Sequence, residues 1–419
     1  MVKLNLTFFL IMVTIFSKLI GFVREMMLLG NVGISAGLDL LVIFFSFTMF
    51  LTGVIGTCVV TNMTPVMATR SSHDAVATFL VESVKVAIGI SLIAVLWNFV
   101  YLKTALADHP EAELAAQLAV LMVWILLFSV IAEYQVALFL SQNRQIPVIS
   151  GNIMISLPLV IGMVFFDITI LAYAIGLAIA FALRIVIFAV LLRPSVAMSA
   201  AWWRAQLMAK PLLFVNVPKI LKGGSAMLSI GLIFLVAMIL AERQSVGAAT
   251  LVGYGRKIPM LILTSVWFVL GSRFFSQIVQ QRGQGSHALI AKLTKFNTAV
   301  TIALAAGVLA SIGITHLYAD QMADVALDFA KVINASLPLL PIIIFVPIIE
   351  MTQRTLVTLD KHGMVMLLTY ASMAVAIIGF GLSVWIWDSP FSIMLTITVA
   401  LGAGALPAVL ALNKIEKAP

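Results

Sequence analysis

The chain has 419 residues, of which 62% are hydrophobic and 10% charged, with a mean hydropathy of +1.15 and a formal net charge of +8. A water-facing globular surface needs about 25% charged residues, so a soluble fold is excluded. Long uncharged runs satisfy their backbone hydrogen bonds in lipid only as helices, and the runs here do not alternate apolar with polar residues as barrel strands do.

Taken in chain order, apolar stretches of roughly 20 residues predict helices over 7–29, 38–61, 78–101, 115–140, 146–166, 168–192, 224–241, 247–273, 295–317, 335–357, 363–387 and 390–412. The first carries Lys18, Arg24 and Glu25 in its second half with no small-residue cleavage site after it, so it is expected to remain as a span rather than leave as a signal peptide. Basic residues fall on one side of this count. With the N-terminus in the cytoplasm, Lys3, Arg70, Arg144, Arg193, Arg204, Lys210 and the further bases through Lys417 lie inside, and the outside loops hold only Lys103, Arg243 and Lys331. That bias predicts an even number of spans with both termini in the cytoplasm. It also assigns the basic excess to topology rather than to nucleic acid.

The longest inside connection, 193–222, separates six helices from six. Its stretch AWWRAQLMAK, with Trp202, Trp203, Arg204 and Lys210, reads as an amphipathic helix on the inner leaflet. The expected organisation is an N-terminal six-helix lobe over 1–192, a cytoplasmic linker over 193–222 and a C-terminal six-helix lobe over 223–419. The fold class is therefore an all-α polytopic membrane protein, with about twelve transmembrane helices in two lobes around a central cavity. The single Cys58 excludes an internal disulfide, the five histidines show no metal-ligand spacing, and no P-loop or G-x-S-x-G elbow is present. We expect no enzymatic activity, no cofactor and no metal site.

Ionisable residues inside spans carry the functional information, because each costs about 2.5–3.5 kcal/mol at the bilayer centre and so faces protein or water. Ser17, Gly21 and Arg24 share one stripe of the first helix, with Lys18 and Glu25 beside it. Asp39 opens the second helix, Glu133 lies deep in the fourth with no opposite charge in its own helix, and Arg256 with Lys257 falls in the eighth. Pro259 is expected to kink that helix beside the cationic pair. Glu350 and Arg354 read as an i, i+4 pair, Glu82 and Lys85 as a local pair, and Arg184 as a structural residue that snorkels. Arg24 and Arg256 have two readings that charge alone leaves open. Facing one cavity, they suit a phosphate-bearing substrate, because guanidinium presents a planar fork to phosphate oxygens; alternatively they form interhelical salt bridges, such as Arg24 with Asp39 or Glu25.

Two motifs then carry a resemblance. The run TIFSKLIGFVRE over 14–25, followed by Gly33 and Asp39, resembles the N-terminal signature of the MurJ (MviN) lipid II flippases of the multidrug/oligosaccharidyl-lipid/polysaccharide (MOP) exporter superfamily. The run GYGRKIP over 253–259 is similar to the family's eighth-helix segment. The resemblance implies a flippase that moves a polyprenyl-diphosphate-linked saccharide, lipid II or a related exopolysaccharide or surface-glycan precursor, by alternating access. It implies headgroup and diphosphate binding by Arg24 and Arg256, with Lys18, Glu25 and Asp39 at matching family positions. Lys18 and Lys257 are expected to add to substrate binding and Glu25 and Asp39 to gate or couple, while Glu133, from its depth in a span, is either a buried hydrogen-bonded acid or a third gating or coupling acid. The partners that the resemblance implies are the lipid-linked saccharide, the bilayer, a coupling monovalent cation and glycan-synthesis enzymes. Two departures are present: 46–57 carries no base where the family has an arginine, and Lys18 stands for an arginine. A cation-coupled multidrug exporter of the same superfamily, with Glu133 or Asp39 as its coupling acid, and a non-transporting scaffold of a glycan-synthesis complex are the alternatives.

Overall fold

The computed structural model of the protein describes residues 2–68, 73–142, 144–192, 208, 217–263, 286–318, 323–358, 361–387 and 389–416. Among them there are helices and no strands. The chain divides into two compact units, 1–32 with 44–220 and 33–43 with 221–419. The proposed amphipathic stretch at 201–210 lies, apart from Met208, outside the described residues.

In the first unit, α1 (Val2–Val32) packs on α5 (Gln145–Phe165), α3 (His73–Thr104) on α4 (Ala112–Ser141), and α4 on α6 (Ile170–Leu192). Polar groups spaced along otherwise apolar helices fix these pairings. Ser17 Oγ donates to the Ile149 carbonyl at 3.2 Å, Asn98 Nδ2 to Ala119 at 3.1 Å and Gln135 Nε2 to Ile185 at 3.1 Å. Aromatic pairs fill between them: Phe79 meets Tyr134 edge-on at 6.0 Å, and Phe139 meets Phe188 at 5.1 Å. Helix α2 (Ala36–Ala68) contributes its first two turns to the second unit and the remainder to the first.

The second unit contains α7 (Val217–Gln244), α8 (Ala248–Gly255), α9 (Lys257–Ile262), α10 (Ser286–Tyr318), α11 (Asp324–Ala335), α12 (Ile342–Thr358), α13 (His362–Leu382) and α14 (Pro390–Glu416). Helix α14 is its centre and packs on both α12 and α13. Small residues make this possible: a Cβ at Gly402 would meet the Phe345 ring at 3.3 Å, and one at Gly404 would collide with Ser372 Oγ.

Eight helices among the described residues are long and apolar enough to cross a membrane, and nine with one bent pair counted as a single span. Large apolar side chains remain exposed along them, Leu96, Val190, Ile302 and Ile377 among others, as a lipid-facing surface requires. Helices α1 and α7 coincide with the expected first and seventh spans. Helices α8 and α9 open the eighth, whose continuation over 264–273 is outside the described residues. One expected helix, 335–357, differs. The structure ends α11 at Ala335, makes a 3-10 turn over Leu337–Leu339 and restarts at Ile342, bending the pair by 50°. Pro338 and Pro341 have no N–H to donate and interrupt the ladder. The freed Pro338 carbonyl accepts from Thr398 Oγ1 of α14 at 2.5 Å.

Candidate functional site

Arg24 is held in the first unit by a face of α1 that the sequence marks in advance. Thr14, Ser17, Arg24 and Leu28 recur at helical spacing and are all buried. Gly21 leaves room where α1 meets α5, with Ser156 Oγ 3.6 Å from the place a Cβ would take. One turn on, Arg24 Nη1 donates to that same Ser156 Oγ at 3.4 Å. Its Nη2 pairs with Glu25 Oε1 at 2.8 Å, and its guanidinium carbon stands 6.0 Å from the centre of the Tyr173 ring on α6. Of the two partners considered from sequence, the structure pairs Arg24 with Glu25. The guanidinium is not saturated: Nε is buried with no acceptor among the described residues. Lys18, a turn and a half earlier, is half-buried.

Asp39, Arg256 and Lys257 belong to the second unit. Asp39 is buried, and its carboxylate caps α8. Oδ2 accepts from the Gly247 N–H at 2.5 Å, and Oδ1 accepts from the Thr250 N–H and from Thr250 Oγ1, each at 2.6 Å. The reason lies in Gly247, which occupies the N-cap position of α8 with φ +87° and has no side chain to cap with. A Cβ there would collide with Ile34 Cγ2. The missing acceptor therefore comes from another helix, as a full negative charge at a helix N-terminus. Asp39 thereby anchors the helix that leads into Arg256.

Glycines also account for the GYG run. A Cβ at Gly253 would meet Val42 Cγ1, and one at Gly255 would sit 3.2 Å from the Ala335 backbone, so α8 is wedged between the start of α2 and the end of α11. Arg256 marks the break between α8 and α9. This agrees with the expected effect of Pro259, which cannot donate to Gly255. The Arg256 guanidinium carbon lies 5.0 Å from the Phe234 ring centre, and Lys257 Nζ lies 4.1 Å from that of Tyr254.

Glu133 lies in α4 with its carboxylate against Gly56 of α2. The opposite charge that its own helix lacks comes from Arg184 of α6, the partner it interacts with electrostatically. Arg184 does not snorkel: it is 7% exposed, packed on Phe188 at 5.1 Å. Sequence reasoning missed Ser156, Tyr173, Gly247 and Thr250. Only Gly247, shortly after the polar run Glu242–Ser245 and before the next apolar stretch, signalled a special backbone. The Arg354 side chain of the expected Glu350–Arg354 pair is outside the described residues. Among the described residues no group of three or more His, Cys, Asp or Glu side chains is placed to hold a metal ion.

No family model and no curated protein sequence matches the chain. Solved structures do. The lipid II flippase MurJ in an inward closed conformation superposes with a TM-score of 0.70 at 15% identity, over 98% of this chain and 90% of that one. The chain has the fold of the MOP-superfamily transporters. A multidrug resistance MATE family transporter of that superfamily, inward-facing, gives 0.61 at 16% identity over 93% and 96% of the two chains. The eukaryotic MATE transporter AtDTX14 gives 0.59 at 15% over 98% and 94%. These MOP-fold neighbours are transporters, and the fold accommodates both a lipid flippase and multidrug transporters, so the fold by itself assigns no function to this chain.

Proposed function

We propose that the protein is a flippase that carries a polyprenyl-diphosphate-linked saccharide, lipid II or a related exopolysaccharide or surface-glycan precursor, across the bacterial inner membrane by alternating access of lobes 1–192 and 223–419. In this arrangement both termini lie in the cytoplasm, and the cytoplasmic linker 193–222 joins the two lobes. Arg24 and Arg256 clamp the diphosphate, Lys18 and Lys257 add positive potential, and Glu25 and Asp39 set the geometry of the two arginines.

The observation that carries this reading is the Arg24 guanidinium. It is buried in a span with a bare Nε, and its only charged partner among the described residues is its chain neighbour. A buried cation tends to acquire an anion, and a phosphate oxygen competes for the same donors as Glu25 with more charge and more acceptor atoms. Likeness of fold to a lipid II flippase supports the cargo class, and likeness to MATE transporters supports the alternative of a multidrug exporter. A site rich in arginine and lysine repels the cationic cargo such an exporter would carry.

Binding separates the two. The purified protein should bind a short-chain polyprenyl diphosphate saccharide more tightly than the matched monophosphate. Arg24→Ala should remove most of that preference, because a charge-assisted hydrogen bond contributes about 1.5–3 kcal/mol, on the order of 10- to 100-fold in affinity. Equal affinity for the two lipids, or tight binding of an organic cation instead, refutes the assignment.

A further inference from the structure

Glu133 and Arg184 form a second charged locus in the first unit that diphosphate binding does not use. The Glu133 carboxylate rests on α2, where a Cβ on Gly56 would fall 2.8 Å from Oε2. No hydrogen bond reaches it from the described residues. Arg184 is folded over Gly151 of α5, whose Cβ would stand 3.0 Å from Nε, and that Nε is buried with no acceptor among the described residues. Two glycines thus make the space for two opposite charges. The charges attract one another, yet among the described residues they make no direct ion pair.

The surrounding elements narrow what can complete this site. On α3, Glu82 is buried and Lys85 half-buried. The pairings of Asn98 with Ala119 and Phe79 with Tyr134 set an antiparallel register that brings Glu82 level with Glu133. Helix α5 contains no charged residue, α2 none besides Asp39, and α6 none besides Arg184. An ionised carboxylate without donors is unstable in such surroundings, and it is relieved either by taking a proton or by closing on a cation. A metal or alkali cation is disfavoured, since the guanidinium is permanently positive and among the described residues no group of three or more His, Cys, Asp or Glu side chains is placed to hold one.

We propose that Glu133 is a proton-binding carboxyl and that Arg184 is its alternative partner: protonated Glu133 stands apart from Arg184, and ionised Glu133 closes on it. Loss of the proton thereby draws α4 and α6 together at this level, with Gly56 and Gly151 providing the clearance. This deepens the flippase reading by naming a proton as the coupling ion. Only the link to transport rests on that reading, because the titration needs no cargo.

The test is an infrared difference titration, between acid and alkaline pH, of the purified full chain in phosphatidylethanolamine–phosphatidylglycerol membranes, following the carbonyl stretch of protonated carboxylic acids. Apart from the broad band of the exposed carboxyls, a pH-dependent component at the higher frequency of a carboxyl without hydrogen-bond donors should be present in the native chain and in Glu82→Gln and absent in Glu133→Gln; this component is the band followed. In Gly56→Ala, where the added methyl displaces the carboxyl, the band should move. A band that survives Glu133→Gln overturns the proposal, as does an unchanged band in Gly56→Ala should Glu133→Gln not fold. In a double-mutant cycle read by thermal unfolding, Arg184→Gln should lower the melting temperature and added Glu133→Gln should restore at least half of the loss. Strictly additive losses overturn the pairing. A native, Glu133-dependent titration in a protein that moves no lipid-linked saccharide would refute the flippase reading alone.

Discussion

Replacing Asp39 tests how the second unit holds Arg256 in place. In the native chain one carboxylate receives three donors: the Gly247 N–H, the Thr250 N–H and the Thr250 hydroxyl. Asp39→Ala leaves both backbone donors without an acceptor at a buried helix N-terminus, and the hydroxyl can rotate to other acceptors. Each orphaned buried donor costs about 1–3 kcal/mol, and loss of the negative charge beside the helix dipole adds about 0.3–1 kcal/mol. The sum is centred on about 4.5 kcal/mol. Asp39→Asn keeps one oxygen but turns an NH2 group toward the other donors, and about half of that loss is expected. Hydrogen exchange over 247–252 in lipid nanodiscs reads the effect directly. If those amides exchange by local opening of α8, they should accelerate by about 1,000- to 3,000-fold in Asp39→Ala and by about 40-fold in Asp39→Asn, at 1.4 kcal/mol per tenfold. The α3–α4 pair, in the other unit, should be unchanged. Exchange at 247–252 that stays native in both variants would refute the capping role.

Other substitutions probe the remaining links. Gly247→Ala forces a side chain into a left-handed conformation, at about 1–2 kcal/mol, and into Ile34; its melting temperature should fall below that of Gly307→Ala, where a Cβ meets nothing within 4 Å. Gly404→Ala drives a methyl into Ser372 and should destabilise the unit by about 1–3 kcal/mol, with Gly404→Ala/Ser372→Gly recovering most of the loss in the same thermal assay. Thr398→Val removes the donor to the Pro338 carbonyl. That change should cost about 1–3 kcal/mol, and it should raise protease sensitivity around the 3-10 turn between α11 and α12.

The membrane class and most helices are legible from composition and run length, because lipid leaves a backbone few choices. The α1 stripe of Thr14, Ser17, Gly21 and Arg24 is legible too, since charge in a span must face protein. The bend between α11 and α12 escapes a hydropathy window because Leu337, Leu339 and Leu340 keep the run apolar across Pro338 and Pro341; the prolines alone carry that signal. Asp39 shows a different limit. An acid at a helix start reads as a cap for its own helix, and nothing local reveals that it caps α8, more than two hundred residues away. Arg184 and Glu133 each look isolated along the chain, because their attraction depends on how α4 packs against α6. The glycines at 56, 151 and 247 are legible only once the neighbours they make room for are known.

The central claim is that arginines in spans handle a diphosphate, and transport of a labelled polyprenyl-diphosphate saccharide in proteoliposomes tests it most directly. With Arg24→Ala/Arg256→Ala at matched incorporation, the account predicts a loss of flipping of at least a hundredfold, with Arg256→Lys intermediate because its ammonium keeps charge without the fork. Flipping at the native rate in the double variant would contradict it.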